Sequence, residues 1–343
     1  GLSPHYTKHV LVDGMPILGG AGVADAAIRE AAYLVRKVIG HRPELLHELA
    51  SRHVRFVVMA PTELTTDVPE HADLTPRSYW DKRARGLGAT ATRPAVSCGE
   101  ENLLNLEGDP YVAENILIHE LAHALQLAMT TLDPTFDARL HAAFDHARRE
   151  KLWSGTYAMS NADEYWAEGA QSWFDTNRRN DHEHGPIATR GQVKVYDPLL
   201  AKLLIEIYGD SAYRYQRIDQ RVAADRAHLA GFDRTRAARF VWPAIAPEAT
   251  AAVELTLRRA ALLHSTPAHA TPATTIMFTN DRATDVDVLW VGFDGHPLRY
   301  ATVPPGRMHV QSTYEGHAWV VREGATDLGV VFAAASAGRV QIR

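Results

Sequence analysis

Between Pro110 and Met129 the chain carries no glycine and no further proline, and inside that run stands His119-Glu120-Leu121-Ala122-His123. Asp109 followed by Pro110 predicts an N-cap and a first helical residue, so the run is expected to be a helix. Val112, Ile116, Leu117, Ile118, Leu121, Leu125 and Leu127 cover more than one of its faces, which predicts burial inside a domain. Two histidines four residues apart then share one face, with Glu120 projecting about 100° away. Buried polar groups need partners. Backbone hydrogen bonds would satisfy a pair of core histidines, but the carboxylate between them fits better with a metal ion whose water sits beside a general base. Zinc suits this donor set, one ion per chain.

The segment from Ser154 to Phe174 offers a further donor. Ser160 to Asp163 reads as a capping box that starts a second helix, which puts Glu164 and Glu168 one turn apart on one face. Two such carboxylates repel in water but not when both face a cation and its histidines. One can ligate, and the other can hold a ligand histidine by its second N–H. Tyr165, Trp166, Trp173 and Phe174 around the pair argue against a solvated acidic face.

The run Tyr157-Ala-Met-Ser-Asn161-Ala-Asp-Glu164-Tyr-Trp-Ala-Glu168, following the His119–His123 helix, resembles the catalytic segment of the anthrax lethal factor family of zinc peptidases, which includes the secreted Pro-Pro endopeptidases. The motifs span about residues 110–175. The resemblance implies zinc on His119, His123 and Glu164, Glu120 as general base, Tyr157 as hydrogen-bond donor to the oxyanion, and Glu168 behind the ligands. A competing alignment takes Trp166-Ala-Glu168-Gly as the Glu-Gly ligand motif of other gluzincins and makes Glu168 the ligand; Glu164 is preferred because only that choice accounts for Tyr157. The lone Cys98 has no identifiable partner histidine and is expected to be a buried, inert thiol.

A second informative region closes the chain. Thr274-Thr-Ile276-Met-Phe278-Thr-Asn280, Val286-Asp-Val-Leu-Trp290-Val and His317-Ala-Trp319-Val-Val321 alternate with period two, and Asp294-Gly295 and Pro304-Pro305-Gly306 mark turns, so a small β-sandwich is expected. Phe278-Thr-Asn, Trp290-Val-Gly-Phe-Asp-Gly-His-Pro-Leu-Arg-Tyr300, Val303-Pro-Pro-Gly306 and Tyr314-Glu-Gly-His317-Ala-Trp319 closely resemble the β domain of the von Hippel-Lindau tumour suppressor family, over about residues 273–343. That resemblance implies recognition of 4-hydroxyproline by Trp290, Tyr300, Thr313, His317 and Trp319. Thr313 replaces the family's serine and keeps the hydroxyl, whereas Ser312 replaces a peptide-contacting histidine; the family's helical, ligase-recruiting domain is absent. A pocket of this make-up is physically apt, since aromatic faces can sandwich a rigid pyrrolidine ring and a buried hydroxyl and imidazole favour its hydroxylated form.

The rest is coarser. Ile28, Ala31, Ala32, Val35 and Val38 trace a helical face stopped by Gly40, and Val54 to Ala60 reads as a strand. Residues 178–193 read as a loop in which His182 and His184, beside Glu183, could bind metal but in so polar a stretch are expected to be solvated. Asp197-Pro198 should open a helix ending at Gly209, 243–264 should form a packing helix or spacer, and Ser265 to Pro272 a linker. With 46% hydrophobic residues the chain can bury two cores, and a net charge of −5 argues against nucleic acid or an anionic membrane as partner. No apolar run is long enough to cross a bilayer. No signal peptide is visible, and a start at Gly1-Leu2 is expected of a processed or truncated chain.

The expected architecture is an α+β zincin-like, gluzincin-type peptidase domain over 1–242, a helical spacer and linker over 243–272, and an all-β hydroxyproline-binding sandwich over 273–343. The expected function is a secreted zinc endopeptidase for proline- or hydroxyproline-rich proteins, collagen-like or of plant cell walls. Its alternatives are a non-catalytic hydroxyproline-binding or adhesion protein, and a peptidase for plain proline-rich chains with a purely structural C-terminal domain.

Overall fold

A hairpin opens the chain in the computed structural model, which describes residues 2–74, 77–90, 92–181, 183–242, 252–259, 264–265, 273–293 and 295–343, with the side chains of Ser78, Tyr79, Ala273 and Ser312 left aside. Strands β1 (Lys8–Val12) and β2 (Met15–Gly19) pair antiparallel around Asp13-Gly14, both at positive φ, the geometry that matches the right-handed twist of paired strands. Helix α1 (Asp25–Ile39) buries Ile28, Ala31, Ala32, Val35 and Val38 and stops at Gly40, as the periodicity predicts. Helix α2 (Pro43–Ser51) leads to β3 (Arg55–Met59), parallel to β2.

Contacts divide the chain into two units, residues 1–72 with 84–242, and residues 73–83 with 243–343. Helix α3 (Arg77–Arg83) therefore belongs to the second unit. In the first, β4 (Gly86–Leu87) and β5 (Ala95–Gly99) complete a five-stranded sheet in the order β1-β2-β3-β5-β4, with β5 parallel to β3 and β4 antiparallel at the edge. The short α4 (Glu100–Leu103) follows. Helices α5 (Ile116–Leu132), α6 (Phe136–Arg149), α7 (Ala162–Trp173), α8 (Arg190–Tyr196) and α9 (Pro198–Tyr208) build the remainder.

Two helix starts differ from expectation. The cap of α5 is Asn115, whose side chain accepts from the Ile118 N–H, while Asp109 accepts from Tyr111 N–H and closes a local turn. Asp and Asn are equally good caps and equally good turn formers, so the nearer one took the helix and the earlier one the turn. Val112 accordingly lies outside the helix and is exposed. In α7 the cap is Asn161, accepting from Glu164 N–H at 2.8 Å, in place of Ser160. The expected loop over 178–193 ends early, in α8, capped by Thr189. Both ends of α9 stand where predicted, with Asp197 capping and Gly209 at φ 66° terminating.

The second unit is a sandwich. Strands β6 (Val253–Glu254), β7 (Ala273–Asn280), β8 (Val286–Val291), β9 (Pro297–Val303), β10 (Met308–Tyr314), β11 (Ala318–Glu323), β12 (Thr326–Phe332) and β13 (Gly338–Ile342) form two four-stranded sheets, β10-β7-β13-β6 and β12-β11-β8-β9. Ile276, Phe278, Val286, Val288, Val303, Trp319, Val321, Val331, Val340 and Ile342 share one core. Leu289, Val291, Ala318, Val320 and Val330 form a second buried cluster on the opposite side of these strands. The described part of 243–264 is not helical: β6 pairs parallel with β13, and Arg258 bridges Val330. Nor is Ser265 part of a linker. It is buried, donates to the Val291 carbonyl and accepts from Ala318 N–H. Two-residue pairings and single anchors of this kind leave no periodic signal. The rest of the expected linker, 266–272, lies outside the described residues.

Candidate metal centre and aromatic pocket

Trp166 fixes α7 against α5. Its indole N–H donates to the Ala122 carbonyl at 2.9 Å, inside the His119–His123 motif, while its ring stacks on Tyr208 and meets Phe136 edge-on. That contact brings Glu164 to the histidines. His119 Nε2 lies 3.1 Å and His123 Nε2 3.7 Å from the same Glu164 Oε2. In a tetrahedral site with bonds of about 2.0–2.2 Å, donor atoms stand about 3.3–3.5 Å apart. The two separations from Glu164 bracket that value. Glu120 stays beside them, with donor atoms of His119, Glu120 and His123 within 4.8 Å of one another.

The electrostatics also favour a cation. Burial works to lower the His119 imidazole, but the hydrogen bond to Glu164 and the charges of Glu120, Glu164 and Glu168 push it up to about 10. Burial likewise works to lower His123, and Glu164 raises it. Glu164, which burial would raise, is held well below the usual carboxylate range by the two histidines.

Behind His119 two side chains stand, the expected Glu168 and one not foreseen. Its Nδ1 is hydrogen-bonded to Gln171 Oε1 at 3.0 Å, and Glu168 Oε1 is 3.6 Å away, beyond hydrogen-bond reach. Gln171 shares with Glu168 the place behind His119, because it lies one turn further along the same face of α7; that i+3 spacing from Glu168 was the available signal. Glu168 also belongs to a second buried group. Its Oε2 accepts from Asn177 Nδ2 at 2.9 Å and lies 3.4 Å from His184 Nε2, which is 3.7 Å from Glu114 Oε1. Glu114, Glu168 and His184 have the donor types and spacing to hold a metal ion. His184, expected in solvent, is buried, with Nδ1 on Asp181 Oδ1 at 3.0 Å. Its neighbours come from distant sequence, so local polarity misplaced it. His182 lies outside the described residues.

Two glycines let β4 approach the motif. A Cβ on Gly88 would stand 2.8 Å from His123 Cβ, and one on Gly86 would stand 2.5 Å from Ile116 Cγ2 and 3.1 Å from Glu120 Oε1. Tyr157 opens a 3₁₀ turn (Tyr157–Met159), is half-buried, and donates its backbone N–H to the Glu183 carbonyl at 2.7 Å. Cys98 is fully buried, and burial pushes its thiol well above the usual range. Among the described residues no helix is long and apolar enough to cross a membrane.

In the second unit, β8, β9, β10, β11 and the turn between the last two bring Trp290, Tyr300, Thr313, His317 and Trp319 into one aromatic cluster. Trp290 packs against Tyr300 at 6.3 Å and His317 at 5.6 Å between ring centroids, and Tyr300 meets Trp319 edge-on at 5.2 Å. Trp319, itself buried, donates from Nε1 to Thr313 Oγ1 at 2.9 Å. Two neighbours not assigned from sequence join the cluster: Phe293 touches both Trp290 and His317, and Tyr314 touches His317. Both are partly exposed and form its outer rim. His317 Nε2 and Trp290 Nε1 are buried without a hydrogen-bond partner. Orphaned buried donors and acceptors are rare, and a pair of them lining one aromatic cage marks where a ligand's polar group would go.

Residues 265–335 match the family model of the VHL beta domain. The match begins at Ser265, the residue stitched between Val291 and Ala318, and contains the whole aromatic cluster. The VHL beta domain is known for reading hydroxyproline in substrate proteins.

Proposed function

We propose that this chain is a zinc-dependent endopeptidase whose C-terminal VHL-like module docks hydroxyproline-bearing substrates. The observation that supports catalysis is the convergence of His119 and His123 on one oxygen of Glu164, at separations that bracket those around a tetrahedral ion, with Glu120 alongside the histidines. The observation that supports docking is the match over 265–335 together with the orphaned His317 and Trp290 nitrogens. Proteins rich in hydroxyproline, collagen-like or of plant cell walls, are the proposed substrate class, and a secreted enzyme is the reading that goes with them.

Zinc bound there would supply Lewis acidity, lowering the pKa of water to about 7 and polarising the scissile carbonyl. The chain does the rest. Glu120 takes the proton of the attacking water and passes it to the leaving amine. Tyr157 donates its phenolic hydrogen bond to the oxygen on which negative charge grows. Gln171 fixes the ring of His119 through Nδ1. β4, the outermost strand of its sheet among the described residues, is where an extended peptide would lie beside the motif.

The test is digestion of matched proline and hydroxyproline peptide libraries by the full chain, with cut sites read by mass spectrometry and metal content measured in parallel. One zinc per chain and cleavage favouring hydroxyproline peptides are expected; a metal-free, inactive native protein would defeat the peptidase reading. Two variants probe the geometry. Tyr157→Phe should cut kcat by about 10²–10³ with KM nearly unchanged, because the phenol acts mainly in the transition state; an unchanged kcat would return Tyr157 to packing. Gly88→Ala should weaken zinc binding by about 10–100-fold in a chelator competition, since the added methyl must displace His123. Wild-type affinity in that variant would mean that β4 shifts instead.

A further inference from the structure

The group formed by Glu114, Glu168 and His184 does not enter the mechanism above, yet it is buried and lies directly behind His119. Its charges are already matched. Arg178 Nε stands 2.6 Å from Glu114 Oε2, and His184 presents Nε2 to both Glu114 and Glu168 because its Nδ1 is taken by Asp181. With a guanidinium against one carboxylate, a second cation there would face repulsion that the first site lacks. Arg178 also pairs with Asp181 at 3.3 Å and Glu183 at 2.9 Å. Asp181 accepts in addition from the backbone N–H groups of Glu183 and His184.

This loop reaches the site by two routes. Through His184 it holds Glu168, whose other oxygen stands 3.6 Å from His119 Nδ1. Through the Glu183 carbonyl it holds the backbone N–H of Tyr157 at 2.7 Å. Resting on the zinc endopeptidase reading, we infer that His184 is a positioning residue: it pairs with Glu168, which stands beside the ligand His119, and it belongs to the loop whose Glu183 carbonyl holds the backbone N–H of Tyr157, so that one buried side chain bears on both the metal ligand and the oxyanion donor.

The experiment uses the full chain and three variants, His184→Ala, His184→Gln and Glu114→Gln. For each, the zinc dissociation constant is measured by chelator competition, zinc stoichiometry by elemental analysis, and kcat and KM on the best-cut peptide. His184→Ala should weaken zinc about 10–100-fold and lower kcat with KM within about twofold. His184→Gln should recover most of both losses, because its amide N–H can occupy the place of Nε2–H, a rescue that a merely space-filling role would not give. Glu114→Gln should fall between the two. If His184→Ala does not fold, the two glutamine variants decide the matter. Unchanged zinc affinity and kcat in the folded variants would overturn the inference and leave the peptidase standing. So would a second zinc in the unmodified chain that His184→Ala removes while the first remains tight, since the group would then be a cation site. No zinc in the unmodified chain would overturn the parent reading itself.

Discussion

Glu120→Gln should abolish peptide hydrolysis, by about 10²–10⁴-fold in kcat, while the protein keeps its zinc. The expectation follows from where the carboxylate stands. His119 and His123 both face one oxygen of Glu164, which assigns the ligand role to these three and the water to Glu120, and Glu120 reaches the same neighbourhood from the adjacent face of α5. The amide keeps the size and loses the basicity. Elemental analysis and activity on one preparation decide it: zinc lost together with activity would make Glu120 a ligand. The companion comparison is Glu164→Ala against Glu168→Ala. Zinc should be lost from the first, whereas Glu168, held by Asn177 and His184, should matter less. The reverse result would transfer the ligand role to Glu168.

The full chain should bind a 4-hydroxyproline peptide about 5–150-fold more tightly than its proline counterpart, the equivalent of about 1–3 kcal/mol for satisfying buried polar groups that plain proline leaves unpaired. Thr313 accepts from Trp319, so its own hydroxyl proton remains to donate, and His317 Nε2 awaits a partner. His317→Ala should erase the preference, and Trp290→Ala should weaken both peptides by removing a wall that they share. Equal binding of the two peptides would reduce the module to a fold. Acid gives a second handle. Burial pushes the His317 imidazole down to about 4. It is therefore neutral from pH 8 to about 5, and the preference should fade as pH falls through about 4. The same depression means that the unfolded chain takes up the proton first. The contribution of His317 to stability is thus present above about pH 6.5 and lost as pH falls toward 4, a slope that His317→Gln should flatten in denaturant titrations.

Short-range chemistry was legible in the sequence and long-range chemistry was not. The shared face of His119 and His123 and both ends of α9 follow from spacing and caps alone, and the structure shows them. Gln171 and Glu114 escaped notice because their roles depend on which helix and which loop meet. His184 reads as solvated because Asn, Asp and Gly surround it in the chain, although Glu114 and Glu168 surround it in space. Asn115 against Asp109 was a contest between equals that sequence does not arbitrate. In the C-terminal unit the alternating strands were plain, whereas β6 is only two residues long and is defined by its partner β13.

The second apolar cluster of the sandwich bears on how the module can be handled. Leu289, Val291, Ala318, Val320 and Val330 lie on the side away from the inner core, and Ser265 and Arg258, both upstream of residue 273, bond to that region. A fragment trimmed at 273 would lose the seryl bridge, the Arg258–Val330 pairing and β6, and would turn a greasy sheet face toward water. Such a piece should clump or bind promiscuously however sound its pocket. Excision from about residue 252, by contrast, retains all three of these upstream elements, and it is the shorter piece's stickiness, rather than any weakness of the aromatic cage, that a failed pull-down with it would report.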